Sequence, residues 1–334
     1  MTAVVAMHMA DALVSAKVGI AMLVLSAGLV VCAARKISAN YESFNPALAG
    51  TAGAFVFAAQ MVNFAIPMTG SSGHIGGGIL LAALLGASPA FVALAGVLVI
   101  QALFFADGGV LALGCNIFNM AFFPCFVAYP LVFLPIKRAV KSAHGLWIAS
   151  IAACVVSLQF GAFCVVLETL CSQITELSFG AFLAFMQPVH LAIGIAEGAA
   201  TALVLGALRR AGVPCADESG AFVPNAKKSV AYLAFAALVT GGFLSVLASE
   251  KPDGLEWSIA KTAGENGVQT RQSDAHKLGA EIAENTSVFA DYSFAGNSDA
   301  GGKSVSGVAG GAITAAFLLC AAGALKFVSK GNGR

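Results

Sequence analysis

Eight apolar runs, each about the length of a bilayer-crossing helix, recur along the 334 residues and decide what this chain can fold into. They fall at 12–34, 48–66, 77–104, 107–135, 147–170, 180–208, 229–248 and 307–328. A helix needs roughly 20 predominantly apolar residues to cross the hydrocarbon core. The runs are continuous and lack the period-2 alternation of a membrane β-barrel. Only 10% of residues are charged, against about 25% in soluble domains. The fold class is therefore all-α, a polytopic helical membrane protein. A net charge of +1 offers no electrostatic basis for nucleic-acid binding.

Basic clusters mark the cytoplasmic side: Arg35/Lys36, Lys137/Arg138/Lys141, Arg209/Arg210, Lys227/Lys228 and the tail with Lys326, Lys330 and Arg334. They predict a cytoplasmic C-terminus and an extracytoplasmic 250–306. That segment has nine acidic and five basic residues, is rich in Ser, Asn and Gly, and reads as a solvated loop. With its flanking spans it forms a second module, 229–334, joined through a linker at 213–228 to a first module at 7–212. Placing Arg35 and Lys137 on one side needs an even number of crossings between them, whereas three runs separate them. Part of 67–135 is thus expected to be irregular, which lipid tolerates only where protein or a cavity encloses it. The N-terminus has no basic stretch ahead of an apolar one, so a cleaved signal peptide is not expected. Eight cysteines without a CxxC pair read as buried packing residues.

Ionisable groups inside apolar runs are costly and are candidates for function. They are His8, Asp11, His74, Asp107, Glu168, His190 and Glu197. Asp107, in "FFADGG", reads either as a helix cap or as a site residue. Glu168 lies near a span end and is expected at the interface. His190 and Glu197, two turns apart, suit an interhelical hydrogen-bond pair more than direct ligation. His74 follows a Ser/Gly turn and precedes three glycines, so backbone can approach it closely. Should the mature chain begin at Met7, its amine, the His8 amide nitrogen and His8 Nδ1 form fused chelate rings. A second imidazole, from His74, completes four nitrogens in a plane, a geometry of Ni(II) or Cu(II) rather than zinc. Ser71 and Ser72 are expected to orient the His74 ring.

These stretches resemble the CbiM/NikM substrate-binding components of energy-coupling-factor transporters for cobalt and nickel. The resemblance rests on "MHMADAL" (7–13), "GSSGHIGGG" (70–78), "VIQALFFADGGVLALGCNIFNMAFF" (99–123, with Asn116) and "HLAIGIAEGAAT" (190–201). The second module carries "KPDGLEW" (251–257), the signature of the PDGLE (CbiN/NikN-like) component. The resemblance implies a compact bundle of about seven membrane helices with the N-terminus tucked inside and a fused two-helix module. It implies Ni2+ or Co2+ as the transported ligand, held by Met7, His8 and His74, with no cofactor. It also implies a cell-membrane location, a transmembrane coupling protein and two separate ATP-binding subunits. The chain agrees in lacking a Walker motif. It departs in beginning six residues before Met7, and translation from Met7 is the expectation.

Two other classes compete. "GSSG" (70–73) fits a rhomboid-type GxSG, with Ser72 as nucleophile and His144 or His190 as base; a serine-reactive probe separates it. A stand-alone secondary transporter would work without ATPase partners, but no inverted repeat is evident.

Overall fold

The computed structural model describes residues 8–211, 227–264, 268, 270–294 and 300–332. Met7 and nearly all of the 213–228 linker lie outside the described residues. The apolar runs form helices because a backbone in lipid must satisfy its own hydrogen bonds. Helix α1 spans Ala16–Ala39 and starts at Ser15, whose hydroxyl accepts the Val18 amide. Helix α2, Pro46–Gln60, starts at Asn45 with proline in its first turn. A short antiparallel ladder follows, β1 (Phe64–Ala65) against β2 (Ser72–Gly73). Helix α3, Gly78–Leu85, is cut from α4, Ala87–Phe104, by Gly86 at φ 82°. Residues 105–112 are largely non-helical before α5, Leu113–Ala139. Pro124 and Pro130 lie inside α5, where Phe118–Phe133 winds as a π-helix with wider i→i+5 bonding. Helices α6 (Ala143–Ser172) and α7 (Phe179–Arg210) complete the first module. They approach closely at Gly194 and Gly198, where an added Cβ would lie 2.9 and 2.3 Å from the Cα atoms of Val155 and Ile151.

The second module opens with α8, Lys227–Gly242, and ends with α11, Ala300–Asn332. Both pack on α2, along which Gly50 and Gly53 face Ala315 and Leu318 of α11. Between them the chain is not the solvated loop its composition suggests. It forms α9, Gly254–Ala263, and α10, Asp274–Thr286, with Leu255, His276 and Phe289 buried. Asp253 and Glu256 close a reciprocal capping box at the start of α9. The chain ahead of it is stitched to the β-ladder: Ser72 N donates to Pro252 O at 2.7 Å and Ser249 N to Asn63 O at 2.8 Å.

Among the described residues, six helices are long and apolar enough to cross a membrane: α1, α4, α5, α6, α7 and Ala300–Phe327 of α11. Helix α2, at 15 residues, is shorter and almost wholly buried by its neighbours. The protein is a helical membrane protein.

Candidate metal centre

Close packing of glycines brings His8 into the bundle. Gly108 and Gly109 lie against the N-terminal segment, and a Cβ at Gly108 would sit 3.0 Å from His8 Cβ and 2.9 Å from Asn116 Nδ2. Asn116 grips the same segment at both backbone groups of Met9, accepting from its nitrogen and donating to its oxygen at 3.0 Å each. Gly109 N adds a third bond to Met9 O. Asp11 accepts the Ala112 amide at 2.8 Å, so Asp11, not Asp107, serves the start of α5. Asp107 faces His8 from a tight turn, with Ala106 (φ 52°) and Gly108 (φ 78°) at positive φ on either side of it. Its Oδ2 lies 3.1 Å from His8 Nδ1 and accepts the Tyr292 hydroxyl at 2.5 Å. Burial opposes ionisation of Asp107, but His8 and Tyr292 outweigh it and hold the carboxyl below the usual range. The Tyr292 hydroxyl is pushed up, by burial and then by the Asp107 charge, so it is the donor of that bond.

His8 is 3% exposed, and its Nε2 has no hydrogen-bond partner among the described residues. The His74 ring lies edge-on to it with centroids 5.4 Å apart. With metal–nitrogen bonds of about 2 Å, two imidazoles on one ion place their centroids roughly 4.5–6 Å apart. Both rings line a cavity of about 110 Å³ that also meets Asn116, His190, Glu197 and, from the second module, Asp253 and Gly254. The loop after His74 is held by Glu197, whose two carboxylate oxygens accept the amides of Gly76 and Gly77 at 3.0 and 2.9 Å. Gly77, at φ 77°, then starts α3.

Several sequence expectations need correction. Of His190 and Glu197, expected to hydrogen-bond across to other helices, Glu197 bonds out of its helix, to those two loop amides, whereas His190 Nδ1 lies 2.8 Å from Met186 O of its own helix. Ser71 and Ser72 do not orient His74. The Ser71 hydroxyl pairs with Thr69 at 2.7 Å, and that of Ser72 donates to Lys251 O at 2.7 Å. Glu168 is not at an interface but buried, accepting from Asn119 at 2.7 Å. The sequence reading also missed Gln60, Gln101 and Tyr292. The two glutamines were visible as amides inside apolar runs; Tyr292 carried no local signal.

Among the described residues, no three His, Cys, Asp or Glu side chains converge on one ion position. For the serine-protease alternative, the Ser72 hydroxyl proton is committed to a carbonyl rather than to a base, which does not favour it.

The site and fold together define a helical membrane protein with two imidazoles facing one small internal cavity. Residues 8–213 match the CbiM family, described as a cobalt uptake substrate-specific transmembrane region, and 227–327 match the PDGLE domain. The chain belongs to the CbiM family and carries a PDGLE domain behind it. It is 39% identical over 166 residues to a putative fused nickel transport protein NikMN of Archaeoglobus fulgidus, covering 47% of this chain and 51% of that one. This chain thus spans about half the length of that relative. Identity is 30% over 219 residues with a cobalt transport protein CbiM of Lachnoclostridium phytofermentans, covering 61% of this chain and 82% of that one. A crystal structure described as a transition metal transporter superposes with a TM-score of 0.52 at 29% identity, covering 61% of this chain and 93% of the other.

Proposed function

We propose that the chain is the substrate-specific membrane component of an uptake transporter for a divalent transition metal, Ni2+ in preference to Co2+. The ion is held by His8 and His74 together with the amine of Met7 and the amide nitrogen of His8, in a mature chain beginning at Met7. The observation that carries this reading is the buried His8 ring, neither nitrogen of which has a hydrogen-bond partner among the described residues, facing His74 across the cavity. A planar set of nitrogens suits Ni(II). Chelation through Nδ1 of His8 requires that nitrogen to leave Asp107, so loading includes a turn of the ring or release of the carboxylate. The chain has no ATPase of its own; a coupling protein and two ATP-binding subunits supply energy. The protein lies in the cell membrane with its C-terminus in the cytoplasm and 250–306 outside.

Mass spectrometry of the N-terminus, with metal content from the same sample, tests the ligand set. A start at Met7 with about one nickel per chain is the expected result. Metal bound to a chain that retains residues 1–6 would remove the amine from the set. Unchanged Ni2+ affinity in His74→Ala would remove the site altogether.

A further inference from the structure

The two histidine segments are joined by a second route that passes through the PDGLE module. Gln60 Nε2 donates to Gly76 O at 2.9 Å, two residues beyond His74. Gln101 Nε2 donates to Gln60 Oε1 at 2.8 Å and approaches the Tyr292 hydroxyl oxygen at 3.3 Å. Tyr292 donates to Asp107 Oδ2 at 2.5 Å, and the same oxygen lies 3.1 Å from His8 Nδ1. The Gln60, Gln101 and Tyr292 donors each have an acceptor, the carboxylate being the last, while Gln101 Oε1 has no hydrogen-bond partner among the described residues. Gln60 and Gln101 are fully buried.

We propose that Tyr292 is a positioning residue of the metal site: its hydroxyl holds the Asp107 carboxylate that meets His8 and closes the chain back to the His74 loop. The inference rests on the metal-binding reading above. A packing role alone accounts for the ring, which lies 5.0 Å from Phe105 and 6.3 Å from Phe57. Phenylalanine would pack there equally well, so the hydroxyl is what needs a purpose. The backbone around it is bent to deliver it. Asp291 and Tyr292 both sit at positive φ, 51° and 54°, where non-glycine residues are uncommon. Phe289 N and Asp291 N donate to Phe104 O and Phe105 O at 3.0 and 3.1 Å, fixing this turn to the chain just ahead of Asp107. Ala106 is bent the same way on the other side of the contact. Partners of this kind orient a ligand and typically change metal affinity 10–100-fold when removed.

The test uses the full chain in detergent, with Ni2+ titrated calorimetrically and the ligand-field absorption of the bound ion recorded. Tyr292→Phe is expected to weaken Ni2+ binding about tenfold and shift the absorption band, a readout that the accompanying modest drop in melting temperature from the lost hydrogen bond would not by itself produce. In an Asp107→Asn background the same substitution is expected to change affinity by less than about twofold, because its partner is already altered. Wild-type affinity and spectrum in Tyr292→Phe would overturn the proposal. So would an equal loss in both backgrounds, which marks a general packing defect. His74→Ala, measured alongside, separates the two readings. Retained binding there removes the metal site and this inference with it. Loss there with no effect of Tyr292→Phe removes the inference alone.

Discussion

Glu197 shows how one side chain sets the geometry of a loop. Its carboxylate accepts two consecutive amides, Gly76 and Gly77, that a polar turn at the start of α3 would otherwise leave bare inside the bundle. An unpaired buried amide costs about 1–3 kcal/mol. Glu197→Leu is therefore expected to lower the melting temperature and, through the displaced His74 loop, to weaken Ni2+ binding. Glu197→Gln keeps one acceptor and is expected to lose less. Melting followed by near-UV circular dichroism, with and without Ni2+, checks both; a Leu variant as stable as wild type would deny the carboxylate this role. A spacing of seven residues put His190 and Glu197 on one helix face and suggested that both reach a neighbouring helix, but spacing reports which face a residue occupies and not what packs there. Here a glycine loop came between.

At the scale of elements, the short helix α9 brings the second module to the cavity wall through Asp253 and Gly254. Gly254 has no room for a side chain, since a Cβ would lie 2.9 Å from Ile193 Cδ1 and 3.3 Å from His190 Cε1. Burial, then the neighbouring Glu256 charge, pushes the Asp253 carboxyl well above the usual value of 3.8. A raised value means the folded state holds the proton more tightly. That contribution is favourable at low pH and is lost as pH rises from the unfolded value through the folded one. At neutral pH a carboxyl buried at 253 is thus a cost, because the unfolded chain ionises it more readily than the folded one. Asn still caps α9, so Asp253→Asn is expected to raise the melting temperature by roughly 2–4 °C at pH 7. The gain should shrink as pH falls below the folded-state value toward the usual 3.8. A lower melting temperature at pH 7 would show that the charge itself is used. The helix was readable in principle, because Asp253 and Glu256 stand at capping-box spacing. The acidic, Ser- and Gly-rich composition of 250–306 hid it, since composition averages over a segment while a cap is a matter of two positions. The long apolar helices were legible because lipid leaves a backbone few alternatives. The convergence of His8 on His74 was legible because a histidine just ahead of the first span and one before Gly76–Gly78 stood out as imidazoles able to share a cavity. Tyr292 was not, since its contact with Asp107 spans 185 residues and is made by tertiary packing alone.

For the whole molecule, the second module is built into the first rather than appended to it. Helix α2 is too short to reach across a bilayer unaided, and α8 and α11 pack along it. At Gly310 of α11 an added Cβ would lie 2.2 Å from Phe57 Cε1 and 2.7 Å from Phe105 Cζ. Phe105 in turn stacks on Phe289 and meets Tyr292, with centroids 5.4 and 5.0 Å apart. A side chain at 310 therefore pushes on the layer that carries Tyr292 toward Asp107, although 310 touches neither histidine. Overpacking a filled core typically costs about 1–3 kcal/mol. Gly310→Val is expected to lower stability by that order and to weaken Ni2+ binding with it. Gly323→Val, on the same helix with open space around its Cβ, is expected to change neither. Thermal melting and Ni2+ titration on the two variants check the pair. Loss of stability in Gly310→Val with full Ni2+ affinity would mean that the interface between modules holds the bundle together without reaching the site. Loss of both ties the fit of α11 against α2 to the metal site, which neither helix lines.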